Sequence, residues 1–252
     1  ILRNLQKRRS MENLDTKTIG EIALEMPNTT RVFEEFKIDY CCGGRKIFTE
    51  ACQNVGANPE IVLQKLNQVL ETNETNEFDW LATATLTELI DYIEEKHHTF
   101  TKYELEHLTP LMEKVAGVHG EHHPELLELK DTFQSLCDDL SPHLLKEERV
   151  LFPYIKDIEI KHINGLSVAF PPFGTVNNPV RMMMMEHDTA GDLLRKMREL
   201  SNDYTLPEGA CPSFTGLYHR FAELERDLHQ HIHLENNLLF PKAIELEEKC
   251  FS

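Results

Sequence analysis

The stretch 143–153 reads HLLKEERVLFP and the stretch 231–241 reads HIHLENNLLFP, so a histidine, a glutamate and Leu-Phe-Pro recur at the same offsets. On a helix, residues four apart lie on one face, so each stretch presents an imidazole and a carboxylate side by side. One such pair can arise by chance. Two copies with the same downstream Phe-Pro predict two helices that supply matching ligands to one interior metal site.

The apolar spacing around these stretches predicts four long helices, separated by turns rich in Gly, Pro, His and Asn. Their expected bounds are 85–118, 124–158, 179–202 and 211–248. The repeated stretches lie on the second and fourth helices. Residues 159–178 contain two glycines and two prolines and are expected to form an ordered crossover or lid. We therefore predict a four-helix bundle over 80–252.

Before the bundle, four shorter stretches with apolar spacing of three or four predict a small helical domain over 11–71. These stretches are 16–26, 29–37, 45–54 and 59–71. The polar segment 72–79 is expected to be a linker. Residues 1–10, which precede Met11, are expected to be a disordered leader or an added segment. The predicted fold class is all-α.

The chain has 252 residues, with 26 Lys and Arg against 43 Asp and Glu, and a formal net charge of −17. This charge repels a phosphate backbone or an anionic membrane surface, so neither nucleic acid nor membrane is an expected partner. The six cysteines suggest neither a disulfide framework nor paired zinc motifs, and no run approaches the roughly 20 apolar residues of a membrane span. We therefore expect a soluble protein of the reducing cytoplasm.

Thirteen histidines, all of them within residues 97–233, supply further candidate ligands. Counting from the turn at Pro124 places the tandem His97-His98 level with His143, and His187 offers an imidazole from the third helix. Four imidazoles and two carboxylates fit a pair of borderline metal ions bridged by the carboxylates. Iron is favoured over zinc and over calcium or magnesium, whose preferred ligand sets differ. Manganese is an open alternative.

The two repeated stretches, the triplet Glu186-His187-Asp188 and the segment Asp39-Tyr40-Cys41-Cys42-Gly43-Gly44 together resemble the iron–sulfur cluster repair di-iron proteins, the RIC family. The resemblance covers nearly the whole chain from about Asp15. It implies a helical N-terminal domain with vicinal cysteines and a haemerythrin-like bundle with two non-haem iron ions. Carried over residue by residue, it implies that Glu147 and Glu235 bridge the irons, with an oxo bridge as a further option. The implied metal ligands are His98, His143, Glu147, His187, His231 and Glu235.

Two arguments disagree on the ligand from the first bundle helix. The apolar stripe of this helix, from Leu86 to Phe100, passes through position 97 and favours His97. The family motif instead selects His98, which we adopt. His119 also matches a histidine of relatives, but it lies roughly 31 Å beyond His98 along a continuous helix and is left out.

Cys41, Cys42 and Glu186 are the candidate catalytic residues. The turn of Cys41-Cys42-Gly43-Gly44 is expected to offer backbone amides that stabilise a thiolate, which favours transient binding of iron, a cluster or nitric oxide, or thiol redox exchange. A structural cysteine pair is the alternative. Glu186 points about 100° away from His187 and is expected to line an entry route or relay protons, with a surface glutamate as the alternative. His233 is expected to be solvated.

Two functions from different classes remain. The resemblance implies repair of iron–sulfur clusters damaged by nitric oxide or oxidative stress, through iron donation or nitric oxide reduction, so the enzyme label stays open. Its partners would be damaged iron–sulfur proteins and nitric oxide or dioxygen, and a homodimer is a further hypothesis. The alternative is a haemerythrin-like carrier or sensor of dioxygen or nitric oxide without turnover. A di-metal oxidase or hydrolase is disfavoured because the sequence indicates no substrate pocket and His-x-x-x-Glu departs from the Glu-x-x-His of ferritin-like oxidases.

Overall fold

The structure, a computed structural model, describes residues 16–71, 80–81 and 83–251. The regular secondary structure in these residues is helical, apart from an isolated β-bridge between Thr18 and Ile47. The predicted all-α class is therefore confirmed. The predicted leader at 1–10 and the predicted linker at 72–79 lie outside the described residues.

The chain forms two compact units, and a late segment of the chain belongs to the first of them. One unit is Ile1–Thr85 together with His233–Leu239. The other is Leu86–Ile232 together with Phe240–Ser252. The first unit is thus completed by residues from the last helical run of the sequence.

In its described N-terminal residues, the first unit contains four short helices around one apolar core. They are α1 (Ile19–Glu25), α2 (Thr30–Glu35), α3 (Phe48–Asn54) and α4 (Pro59–Glu71), with a 3₁₀ turn at Pro27–Thr29. Thr18 and Glu21 form a capping box, because the Thr18 hydroxyl accepts from the Glu21 amide and the Glu21 carboxylate accepts from the Thr18 amide. The fully buried large side chains of this core include Phe33, Tyr40, Phe48 and Leu66.

The second unit is built mainly from four helical runs, which together form the predicted bundle. The first comprises α5 (Leu86–Tyr92), the π-helical turn π1 (Ile93–His98) and α6 (Thr99–His119). The second comprises α7 (Glu125–Lys146), π2 (Glu147–Leu151) and α8 (Phe152–Ile163), and the third is α9 (Asn177–Leu200). The fourth comprises α10 (Pro212–Leu234), π3 (Glu235–Leu239) and α11 (Phe240–Phe251). The predicted bounds agree within five residues.

Apolar side chains fill the bundle, and two buried carboxylates are neutralised by arginines. Arg198 donates to Glu225, and Arg220 donates to Glu104. The two glutamates are only 3% and 5% exposed, so an unpaired charge there would be strongly destabilising. These pairs tie α9 and α6 to α10. Among the described helices, none is both long and apolar enough to cross a lipid bilayer.

Candidate metal centre

Six buried histidines and glutamates form two overlapping groups. His98, Glu147, His231 and Glu235 make one group, and His143, Glu147, His187 and Glu235 make the other. Within each group the ligand atoms all lie within 4.8 Å of one another. The structure thus brings together all six ligands expected from the sequence, and both groups include Glu147 and Glu235.

The four imidazoles approach one another in pairs. His98 Nε2 lies 3.1 Å from His231 Nε2, and His187 Nε2 lies 3.1 Å from His143 Nε2. Two nitrogens bound to one ion at about 2.1 Å and at right angles lie about 3.0 Å apart. Each pair therefore has the spacing expected of two ligands on one ion.

Glu147 gives a direct test of whether a cation fits this site. Its side chain is completely buried, and within the described chain neither of its carboxylate oxygens has a hydrogen-bond partner. His98 Nε2 and His143 Nε2 approach Oε2 at 3.5 and 3.3 Å without forming a hydrogen bond. Burying a carboxylate in this way is costly unless a cation neutralises it. The residues present therefore fit the pair of irons that the sequence analysis expects.

The π-helical turns explain how these side chains reach the site. Of the π turns in the described residues, π1 ends at His98, π2 begins at Glu147 and π3 begins at Glu235. A π turn carries one residue more than an α turn, and such turns occur frequently at functional sites.

The repeated Phe-Pro pairs supply a local cause for π2 and π3. Pro153 and Pro241 are the second residues of α8 and α11. A proline has no amide hydrogen for the regular helical bond and its ring clashes with the carbonyl four residues earlier. A wider turn just before the proline relieves this clash while the chain continues as a helix. In both copies of the repeat, the π turn begins at the glutamate and ends two residues before the proline.

The extra residue of π1 accounts for the placement of His98. An apolar stripe extrapolated at α-helical spacing reaches position 97, but a π turn shifts the following residues by one position. Both histidines are buried at 1% exposure, and of the two, His98 belongs to a ligand group. His97 Nδ1 instead lies 3.0 Å from Asp227 Oδ1.

Two glutamates support ligand histidines through their other ring nitrogen. His143 Nδ1 lies 2.8 Å from Glu186 Oε2, and His98 Nδ1 lies 2.8 Å from Glu148 Oε1. A carboxylate that accepts the Nδ1 proton fixes the orientation of the ring and directs the lone pair of Nε2 toward a metal. Glu186, expected from the sequence near an entry route or a proton path, therefore contacts the candidate ligand His143 directly. Glu148 is a counterpart that the sequence analysis missed.

Each of these two glutamates also accepts a hydrogen bond from a lysine. Lys146 bonds to Glu186, and Lys102 bonds to Glu148. Burial alone would raise the pKa of both carboxyls, but the hydrogen bonds from lysine and histidine outweigh it and lower the pKa of each. Both groups are therefore anions at neutral pH.

His119 lies away from the ligand groups, as the sequence analysis expects. α6 continues through Pro110 to His119, whose Nε2 lies 3.2 Å from Cys211 Sγ.

Cys41 and Cys42 lie between α2 and α3 in a turn organised by Asp39. The amides of both cysteines donate to Asp39 Oδ1, at 3.1 and 2.9 Å. The amides therefore bind a carboxylate, whereas the sequence analysis expected them to stabilise a thiolate. A hydrogen bond to Cys42, burial and the nearby Asp39 raise the pKa of the Cys41 thiol well above its ordinary value.

Side chains of the segment His233–Leu239 hold this turn from the other side. Asn237 Nδ2 lies 3.2 Å from the Tyr40 carbonyl oxygen and 3.4 Å from that of Cys41. Asn236 Nδ2 lies 3.5 Å from the same Cys41 oxygen. Glu235 and the anchors of the cysteine turn therefore lie on one short segment.

His233 completes this contact and is not solvated, contrary to the sequence-based expectation. Its side chain is 5% exposed, and its ring packs edge-on against Tyr40 with 5.3 Å between centroids. Burial lowers the pKa of His233 to about 4, although the Tyr40 carbonyl opposes this shift. The alternation of apolar and polar residues around it offered no signal for this role.

Four helical runs around buried histidines and glutamates define a haemerythrin-type metal-binding bundle, here following a small helical unit with vicinal cysteines. Residues 88–243 match the Hemerythrin HHE cation binding domain, and residues 15–70 match ScdA_N, described as a domain of unknown function (DUF542). The chain belongs to the family of iron–sulfur cluster repair proteins that combine these two domains, as the resemblance implied.

Relatives from three organisms support this assignment. The "Probable iron-sulfur cluster repair protein" of Haemophilus influenzae is 34% identical over 90% of this chain and 96% of its own length. The "Iron-sulfur cluster repair protein YtfE" of Dickeya chrysanthemi is 35% identical over the same shares. The "Iron-sulfur cluster repair protein ScdA" of Staphylococcus haemolyticus is 32% identical over 89% of this chain and 96% of its own length.

Proposed function

We propose that this protein repairs iron–sulfur clusters damaged by nitric oxide or oxidative stress, using a non-haem di-iron centre in its bundle. The observation that carries the proposal is the pair of overlapping ligand groups that share two carboxylates. The names of the relatives support repair, with damaged iron–sulfur proteins as partners, over a carrier or sensor of dioxygen or nitric oxide. The proposed compartment is the cytoplasm.

In the proposed assignment, His98 and His231 would hold one iron, His143 and His187 would hold the other, and both irons would share Glu147 and Glu235. When bound, the two irons supply redox-active ions that bind nitric oxide or dioxygen and that can be donated to a damaged cluster. The imidazole pairs at 3.1 Å and the buried, unsatisfied carboxylate of Glu147 support this assignment.

The surrounding residues fix the orientation of the ligand histidines. Glu148 and Glu186 accept hydrogen bonds from Nδ1 of His98 and His143, which orients each ring so that its Nε2 can bind an ion. We propose that Glu186 acts by positioning His143, and that Cys41 and Cys42 act in delivery or thiol exchange during repair.

Metal content measured by plasma mass spectrometry tests the centre. We expect about two irons per chain in the native protein and near-complete loss in E147A/E235A, because both substitutions remove shared ligands. E95A, which removes an exposed carboxylate at 95, is the matched control and should keep its iron. Zinc, or no metal after anaerobic iron loading, would contradict the proposal.

Reactivation of a dehydratase whose iron–sulfur cluster has been damaged by nitric oxide tests the repair role. Native protein should restore activity, and E147A/E235A should not. C41S/C42S should keep its iron and lose repair. Full repair by the cysteine variant would reject the proposed role of the cysteine turn while leaving the di-iron centre intact.

A further inference from the structure

Asp39, Cys41 and Cys42 form a compact cluster of ligand atoms apart from the histidine and glutamate groups. One atom from each residue lies within 4.8 Å of the other two. Cys41 Sγ is 3.9 Å from Cys42 Sγ and 3.3 Å from Asp39 Oδ1. Two sulfurs and a carboxylate oxygen therefore converge within a single turn of backbone.

These separations match those around one tetrahedral ion. Two sulfurs bound at about 2.3 Å with a tetrahedral angle between them lie about 3.8 Å apart. A sulfur and an oxygen bound to the same ion, at about 2.3 and 2.1 Å, lie about 3.6 Å apart. The observed 3.9 and 3.3 Å need only small side-chain adjustments to reach this geometry.

The turn is held in this shape before any ion binds. A Cβ on Gly43 would lie 2.7 Å from the Asp39 carbonyl oxygen, so only glycine lets the chain fold back over Asp39 this closely. Asn236 and Asn237 fix the Cys41 carbonyl from a distant part of the sequence. A preformed arrangement lowers the ordering cost of binding.

We propose that Asp39, Cys41 and Cys42 bind a single thiophilic divalent cation of the zinc or iron(II) type. The two thiols release their protons to solvent as two metal–sulfur bonds form, and the carboxylate supplies the third bond. Two thiolates and one carboxylate bring three negative charges to the dication, so the site carries a net charge of −1 before a fourth ligand, such as water, is counted. No oxidation or reduction is involved.

This site uses none of the ligands assigned to the di-iron centre and does not depend on the proposed function. The competing explanation for Asp39 is local, because aspartate side chains commonly cap backbone amides in turns. Asn at position 39 separates the two roles. Its side-chain oxygen still accepts hydrogen bonds from the amides of Cys41 and Cys42, but it lacks the charge of a good cation ligand.

Cadmium(II) titration of the full-length, iron-loaded protein under a non-thiol reductant tests the proposal. Thiolate-to-cadmium absorption in the ultraviolet reports only ions bound by sulfur, so cadmium at histidine and glutamate ligands does not contribute. We expect one sulfur-bound cadmium ion per native chain, and zinc(II) should displace it. C41S/C42S should bind no cadmium at this site. D39N should bind cadmium at least about tenfold more weakly. Loss of a residue that only supports a metal ligand already lowers metal affinity by about tenfold or more.

The double variant C211S/C250S removes two of the other cysteines and should bind cadmium as the native chain does. Circular dichroism, measured on every variant, checks that each one is folded. Unchanged affinity in D39N would overturn the three-ligand site and leave Asp39 as a turn cap. Unchanged absorption in C41S/C42S would overturn the site altogether. Cadmium binding that persists in E147A would separate this site from any failure of the di-iron centre.

Discussion

At the scale of single residues, Glu147 occupies a position that is costly without a cation and favourable with one. We predict that E147Q raises the free energy of unfolding of the iron-free protein by about 1–2 kcal/mol, because it removes a buried charge that lacks hydrogen bonds. In the iron-loaded protein E147Q should instead lower the free energy of unfolding, since it removes a proposed iron ligand. Urea unfolding of chelator-treated and iron-loaded protein measures both effects. E95Q, at an exposed position, should change neither free energy of unfolding. If E147Q destabilises the iron-free protein, the inference that Glu147 needs a cation would be refuted.

The glutamates behind the histidines give a second prediction at this scale. E186Q and E148Q should each lower iron affinity by about 10–100-fold, because a neutral amide holds the Nδ1 proton of its histidine less firmly. Competition with a chromophoric iron chelator measures the change. E199Q, on the same helix α9 as Glu186, is the control and should bind iron normally. Native affinity in E186Q would show that this hydrogen bond does not support the ligand.

Of the candidate ligands, the two His-Glu pairs on the repeated stretches could be predicted from spacing alone. Glu147 and Glu235 follow His143 and His231 by one helical turn, and this relation is visible within eleven residues. Glu148 and His233 could not be found in that way, because their roles depend on contacts across 50 and 193 residues of sequence. The environment of the cysteine turn also differs from the expectation, since Asp39 accepts hydrogen bonds from the amides that were expected to stabilise a thiolate.

At the scale of elements, Pro153 tests whether proline holds the π turn that begins at Glu147. In P153A a regular α turn becomes available, and a shift of one residue rotates a side chain by about 100°. We predict that iron affinity falls about tenfold or more. P110A is the matched control, because Pro110 lies inside α6 away from the π turns. It should keep normal iron affinity and gain stability, since it restores a helical hydrogen bond.

Measurement of iron affinity and of unfolding in both proline variants distinguishes the explanations. Unchanged iron affinity in P153A would mean that tertiary packing, and not the proline, maintains π2.

The helices themselves were predictable because apolar periodicity marks their length and Gly and Pro mark their ends. The π turns were not predictable, because a constant apolar period of 3.6 residues does not show where an extra residue is inserted into a helix. The structure places His98, and not His97, in a group of candidate ligands.

At the scale of the whole molecule, Gly44 lies where two distant parts of the sequence meet. A Cβ there would lie 2.6 Å from Asn237 Oδ1 and 2.8 Å from the Tyr40 carbonyl oxygen. We predict that G44A destabilises the protein by about 1–3 kcal/mol through this overlap. We also expect local opening that speeds alkylation of Cys41 about tenfold or more.

G117A is the control for Gly44, because in the described structure nothing lies within 4 Å of a Cβ at that position of α6. It should stabilise the helix by about 0.5–1 kcal/mol and leave alkylation of Cys41 unchanged. Mass spectrometry of alkylated peptides and thermal unfolding supply the two readouts. Equal alkylation rates in native protein and G44A would show that Asn237 does not shield the cysteine turn.

The contact between Asn237 and Tyr40 spans 197 residues, which has a consequence for biosynthesis. A ribosome that adds roughly 5–20 residues per second needs about 10–40 s to make the chain between them. Throughout that interval the nascent polypeptide carries Cys41 and Cys42 without the segment that later encloses their turn. The turn of Cys41 and Cys42 therefore reaches its final packing only when translation of the chain is nearly complete.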